Sequence, residues 1–168
     1  TSLKNLEIAT GFFQKAIDIN PNYAEALNNL SVVLRELKLY EGALQAVQKA
    51  LILNGTYAEA YNNRGVVLHE LKRIEDALDS YDRAIALNPE YADAYSNRGL
   101  ALHELKRVEE AVASFDRDIQ LKPDYAEAYD NLAVALSNLG ADKEEALRAC
   151  EKAAILDPKN AKIQGNYA

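Results

Sequence analysis

Apolar residues recur along this chain at three- and four-residue steps, in runs of about fourteen residues broken by short polar turns. In Ala58–Leu71 the positions are Tyr61, Gly65, Leu68 and Leu71; in Ile74–Leu87 they are Ala77, Leu78, Tyr81, Ala84 and Ile85. Such a pair predicts a hairpin of two helices, each roughly 20 Å long. No segment offers the alternation that a strand needs. Asn88-Pro89 stops the second helix, because the residue before a proline is pushed out of the helical region, and Gly55 is expected to cap the equivalent helix one unit earlier.

The hairpin pattern repeats. Tyr57–Pro89 falls on Tyr91–Pro123 after a shift of 34 residues, and Tyr23, Tyr57, Tyr91 and Tyr125 keep that spacing, as do Pro21, Gly55, Pro89 and Pro123. The next step, to Pro158, is 35, and the extra residue falls in the turn Gly140-Ala141-Asp142-Lys143. A period of this size marks an array whose units bury their apolar faces against one another. The expected division is 1–20, the second helix of a truncated unit; 24–57, 58–91, 92–125 and 126–160, four full units, the last with the one-residue insertion near 140–143; and 161–168, the start of a further unit. A start in mid-unit and the absence of Met suggest a piece of a longer array.

Tyr61-x2-Arg64-Gly65-x2-Leu68 followed by Ala77-x3-Tyr81, Ala84 and Pro89 resembles the tetratricopeptide repeat. The resemblance covers nearly the whole chain and implies an all-α fold, a right-handed superhelical solenoid of antiparallel helix hairpins whose first helices line a concave groove. Ser31, Gly65, Gly99 and Ala133 on first helices, with Ala43, Ala77, Ala111 and Ala146 on second helices, would let the helices approach closely.

Composition narrows the partner. A net charge of −7 argues against nucleic acid, which calls for a basic stripe, and favours neutral or basic partners. No apolar run of 18 residues suggests membrane insertion. A single cysteine, Cys150, rules out an internal disulfide framework. The cytoplasm is the default expectation.

The candidate chemistry lies on the first helices. Asn29, Asn63, Asn97, Asn131 and, in the final stretch, Asn166 hold equivalent positions, a ladder along the groove that the resemblance implies. An amide carries both donor and acceptor and can pair with peptide backbone; it can equally bond helix to helix. Four residues before each rung of the full units stands an acid, Glu25, Glu59, Asp93 and Glu127, and three after it an aliphatic, Val32, Val66, Leu100 and Val134. Further along come Glu36, Glu70, Glu104 and Asn138. This lining would suit an extended peptide, or a partner helix, that is neutral to basic. Arrays of this family that clamp acidic chaperone C-termini use Lys or Arg where this chain has Asn28, Asn62, Glu59, Asp93 and Asn97, so that use is not expected. The amide ladder is similar to that of the repeat arrays of O-linked N-acetylglucosamine transferases.

The expected function is therefore a non-catalytic protein-interaction scaffold. Alternatives are a substrate-presenting arm of an enzyme whose catalytic domain lies elsewhere, and a self-assembly module. For the last, the opening helix offers Leu3, Leu6, Ile8, Phe12 and Phe13, and the final stretch Ile163 and Tyr167, as ends that could join copies into a homo-oligomer. No cofactor or metal is expected: His69 and His103 sit one repeat apart, outside any HExxH, and Cys150 takes a core slot. Arg64 and Arg98 stand where Leu30 and Leu132 stand in other units, and either pack along their stems or point into the groove. Leu27 replaces a tyrosine with no evident functional meaning. Asp118 replaces an alanine at a helix contact, where an unpaired carboxylate is costly, so a basic partner or an opened interface is expected.

Overall fold

The computed structural model describes residues 3–140 and 143–159. Its helices are α1 (Leu3–Ile19), α2 (Ala24–Glu36), α3 (Tyr40–Leu53), α4 (Ala58–Glu70), α5 (Ile74–Leu87), α6 (Ala92–Glu104), α7 (Val108–Leu121), α8 (Ala126–Leu139) and α9 (Lys143–Leu156). The described residues contain no strand. The chain divides into two compact units, Thr1–Pro89 and Glu90–Ala168. The first holds α1 against α2 and the hairpins α2/α3 and α4/α5; the second holds α6/α7 and α8/α9. Ala141 and Asp142 of the insertion, and the stretch 161–168 with Asn166, Ile163 and Tyr167, lie outside the described residues.

Each hairpin turns on one left-handed residue: Lys38, Lys72 and Lys106 at φ 60, 61 and 64°, and Gly140 at φ 68°. Behind Lys38, the Lys38 and Leu39 amides donate back to the Arg35 and Leu34 carbonyls, both at 2.8 Å, so the last turn's free acceptors are satisfied. Gly55 does not form the expected cap. Asn54 ends α3 in an extended conformation, φ −137°, and its Oδ1 accepts from the Thr56 amide at 3.1 Å and the Thr56 hydroxyl at 2.9 Å. The asparagine side chain closes this turn, and the glycine's conformational freedom goes unused.

Inside the hairpins, small residues on first helices lie against large ones on second helices. A Cβ added to Gly65 would stand 2.4 Å from the Tyr81 ring, and one on Gly99 would stand 2.5 Å from the Phe115 ring. Both rings are almost wholly buried, at 2 and 1% exposure. The equivalent residues are Ser31 with Val47 and Ala133 with Cys150, so a smaller second-helix side chain accompanies a larger first-helix one. Between hairpins of the first unit, Tyr57 and Tyr61 pack on Val47, Leu51 and Ala60, while Leu27 joins Ala24, Ala50 and Ile17.

Arg64 and Arg98 resolve in favour of packing. Arg64 Nε donates to Ser80 Oγ at 3.0 Å with its guanidinium 5.2 Å from the Tyr61 ring centre, and Arg98 Nη1 donates to Ser114 Oγ at 2.7 Å. Each serine also donates to a carbonyl four residues back. Where the first helix has Leu30 or Leu132 instead, the second has Ala46 or Ala149 at the serine's place.

Candidate functional site

In the first unit the rungs are Asn29 on α2 and Asn63 on α4. Asn29 is exposed and Asn63 half-buried, with the half-buried Val32 and Val66 beside them. The preceding residue gives Asn63 its orientation. Asn28 is fully buried, and its Nδ2 lies 3.4 Å from both Glu59 Oε1 and Tyr57 Oη. A carboxylate only accepts, so the Asn28 nitrogen faces Glu59 and its Oδ1 faces away, where it receives Asn63 Nδ2 at 2.9 Å. One N–H of the Asn63 amide is committed to the neighbouring repeat. Its oxygen and its second N–H are what it retains for a ligand.

Sequence reasoning missed this second column, Asn28, Asn62, Ser96 and Asp130. All but the half-buried Ser96 are buried. The signal was present in the recurring Asn-Asn pairs, one residue for the helix interface and one for the face. In the second unit the same geometry meets a shorter side chain. Asn131 on α8 is the equivalent of Asn63, and the residue it would meet on α6 is Ser96. Its Nδ2 is buried without a partner. Asn97 is half-buried, Val134 half-buried, and Leu100 40% exposed.

The acids stand in the first turns of their helices, Glu25, Glu59, Asp93 and Glu127, where negative charge complements the helix dipole. None of these helices has a side-chain cap at the preceding tyrosine. All four acids are exposed, yet three have partners within the chain. Glu59 faces Asn28, Asp93 is ion-paired with Lys122, and Glu127 accepts from the Tyr125 hydroxyl at 2.6 Å. That bond and burial both hold the Tyr125 hydroxyl's pKa above the usual range. Further along, Glu36, Glu70, Glu104 and Asn138 are exposed, and Asn138 Nδ2 lies 2.7 Å from His103 Nε2.

Asp118 meets neither expectation. The interface is closed, with Asp118 at 0% exposure, and both carboxyl oxygens lack a hydrogen-bond partner. Burial pushes its pKa upward; Ser96 and Lys122 act in the opposite direction, and Asp93 and Glu127 reinforce the rise. Ser96 stands opposite without completing a hydrogen bond, and Lys122 pairs with Asp93 instead. Cys150 is buried as expected, and burial raises its thiol above the reactive range. Among the described residues, no three acidic, His or Cys side chains gather closely enough to hold a metal ion.

The comparisons agree with this architecture. Residues 67–106 and 99–140 match a family model described as TPR repeat, and residues 12–45 and 46–79 match one described as Tetratricopeptide repeat. No curated protein matches significantly. Among solved structures, MamA is 30% identical with a TM-score of 0.83, over 95% of this chain and 92% of its own. YrrB, a TPR protein with an unusual peptide-binding site, is 25% identical with a TM-score of 0.79, over 98 and 84%. The first TPR of Spaghetti (RPAP3), bound to the HSP90 peptide SRMEEVD, is 27% identical with a TM-score of 0.69, over 70 and 94%. With hairpin, period and small-on-large packing already in place, these matches make the chain a member of the tetratricopeptide repeat family.

Proposed function

We propose that this chain is a non-catalytic protein-interaction scaffold that holds an extended segment against the first-helix faces of each unit, with Asn29, Asn63, Asn97 and Asn131 as rungs. The observation that carries this reading is the fixed orientation of Asn63, one of whose N–H groups is spent on Asn28. Its oxygen remains for a donor, as a peptide N–H is, and its second N–H for an acceptor. An extended peptide advances about 3.3 Å per residue, so helices about 10 Å apart would offer one rung to every third residue. The peptide-bound Spaghetti domain and YrrB with its peptide-binding site lend the mode, but the charge differs: the HSP90 peptide is acidic at its end, whereas this face carries Glu25, Glu59, Asp93 and Glu127. A neutral to basic segment with aliphatic side chains fits Val32, Val66, Leu100 and Val134. The test is selection of extended peptides from a random library, repeated with Val66→Glu and Leu100→Glu variants of unchanged helicity. Selected peptides should be lost from the variants; equal retention would reject these faces.

Self-association is a second reading, favoured by the apolar surface of α1. Leu3, Ile8, Phe12 and Ile19 are 64, 48, 65 and 86% exposed, a surface that a second copy would cover. Light scattering over a concentration series should then show mass rising with concentration, and Phe12→Asp should suppress it. A constant monomer mass would remove this reading. No described helix is long and apolar enough to cross a membrane.

A further inference from the structure

Three departures from the repeat pattern meet at one spot in the second unit. Asp118 stands where other units have Ala16, Ala50, Ala84 and Ala153; Lys122 where they have Asn54 and Asn88; and Ser96 where they have Asn28 and Asn62. In the first unit the equivalent junction is closed by the Asn28 carboxamide, which donates toward Glu59 and accepts from Asn63. In the second unit the serine hydroxyl takes the place of the carboxamide, and a carboxyl group rises from α7 in place of an alanine.

The groups around it are acidic. Asp93 and Ser96 on α6, Glu127 on α8 and Lys122 just past α7 all act electrostatically on Asp118, and Asp93, Lys122, Tyr125 and Glu127 are linked by an ion pair, a cation–ring contact and a hydrogen bond. Asp118 is completely buried with both oxygens unpartnered, and the two acids outside it are exposed. One cation is already there. Lys122 binds Asp93 and lies 5.8 Å from the centre of the Tyr125 ring, which shows that carboxylate and aromatic face together hold an ammonium here. Three carboxyl groups against one lysine leave up to two negative charges uncompensated when all three are ionised.

We propose that Asp93, Glu127 and the buried Asp118 form a receptor for a Lys or Arg side chain of the bound segment, with Asp118 as its inner counter-ion and Lys122 as the internal cation it displaces. The inference rests on the peptide-binding reading and deepens it, giving the ligand a basic residue at the second unit. Asp118 is closed off in this structure, so the guanidinium reaches it only as the Lys122 side chain is displaced; its five donors in a planar fork then suffice for one of the outer carboxylates and both oxygens of Asp118. Lys122 is half exposed, and its ion pair is of the exposed kind that is easily exchanged.

The full chain, labelled at its carboxyl carbons, is titrated by NMR with Nα-acetyl-arginine methylamide and with its uncharged citrulline counterpart. The arginine compound should move the Asp118, Asp93 and Glu127 carboxyl signals saturably, and the citrulline compound should not. Asp118→Asn should weaken binding by about 30-fold or more, as loss of a buried charge partner does. Lys122→Ala, which leaves the core untouched, should tighten it about two- to fivefold, the weight of an exposed ion pair. An Asp118 signal that titrates with pH yet ignores the guanidinium, or equal response to both compounds, overturns the proposal. Peptides selected as described above that still bind would then preserve the broader groove reading. Their loss as well would reject both.

Discussion

Gly65 and Gly99 give the sharpest test of the packing. Replacing an exposed helical glycine with alanine normally stabilises by about 1 kcal/mol. Here the added methyl would stand 2.4 Å from a Tyr81 ring carbon, or 2.5 Å from one of Phe115, about 1 Å inside an ordinary carbon contact. The rings are buried and cannot swing aside, so the helices must part, and overpacking of this kind costs about 1–3 kcal/mol. A clash this deep against a ring that cannot move falls in the upper half of that range, about 2–3 kcal/mol, which outweighs the propensity gain, and Gly65→Ala should lower stability by about 1–2 kcal/mol net. In a chain of this size that is a fall in melting temperature of about 2–8 °C. Rescue supplies the control: Gly65→Ala with Tyr81→Val copies the proportions of Ser31 and Val47, and should be less destabilised than the two single changes summed. Urea denaturation followed by circular dichroism, with hydrogen exchange to locate the loss, measures both. A neutral or stabilising Gly65→Ala, or strict additivity in the double variant, would refute the small-on-large reasoning.

Lys72 sits at φ 61°, where a side chain costs about 1–2 kcal/mol against the glycine's greater unfolded-state entropy; Lys72→Gly should raise stability by about 0.5–1 kcal/mol by urea denaturation. Ser80→Ala should cost about 1 kcal/mol by removing the Arg64 partner, and a cycle with Arg64→Leu should show coupling of about 0.5–1 kcal/mol; no coupling would mean that Arg64 contributes only its stem. Asp118→Ala should raise the melting temperature, since it removes an unpartnered buried carboxyl and restores the repeat's own alanine. Because burial raises the Asp118 pKa in the fold, the folded chain binds this proton more tightly than the unfolded one. Stability from this group is full below the ordinary carboxylate pKa, about 4, and declines as pH rises through the folded value. Asp118→Asn should flatten that decline in urea midpoints measured from pH 4 to 8, and an unchanged slope would assign it to other groups.

Periodicity by itself determined the helices, the hairpins and the repeat, because a helix that buries one stripe must place apolar residues every three or four positions, and a stack must do so at a fixed interval. It also marked the exceptional positions, Arg64, Arg98 and Asp118, as departures from neighbouring units. What those departures do was decided by contacts between residues far apart in the chain. Arg64 turned toward Ser80 rather than a ligand because a hydroxyl sixteen residues on stands within reach. One Asn63 N–H was consumed by Asn28 across 35 residues, so an amide expected to face a ligand freely is held in one orientation by the neighbouring helix. Gly55 was outcompeted by the Asn54 side chain next to it. A one-dimensional pattern records which face a residue occupies; which way its polar atoms turn on that face depends on what the neighbouring helix presents, and only the tertiary structure supplies that.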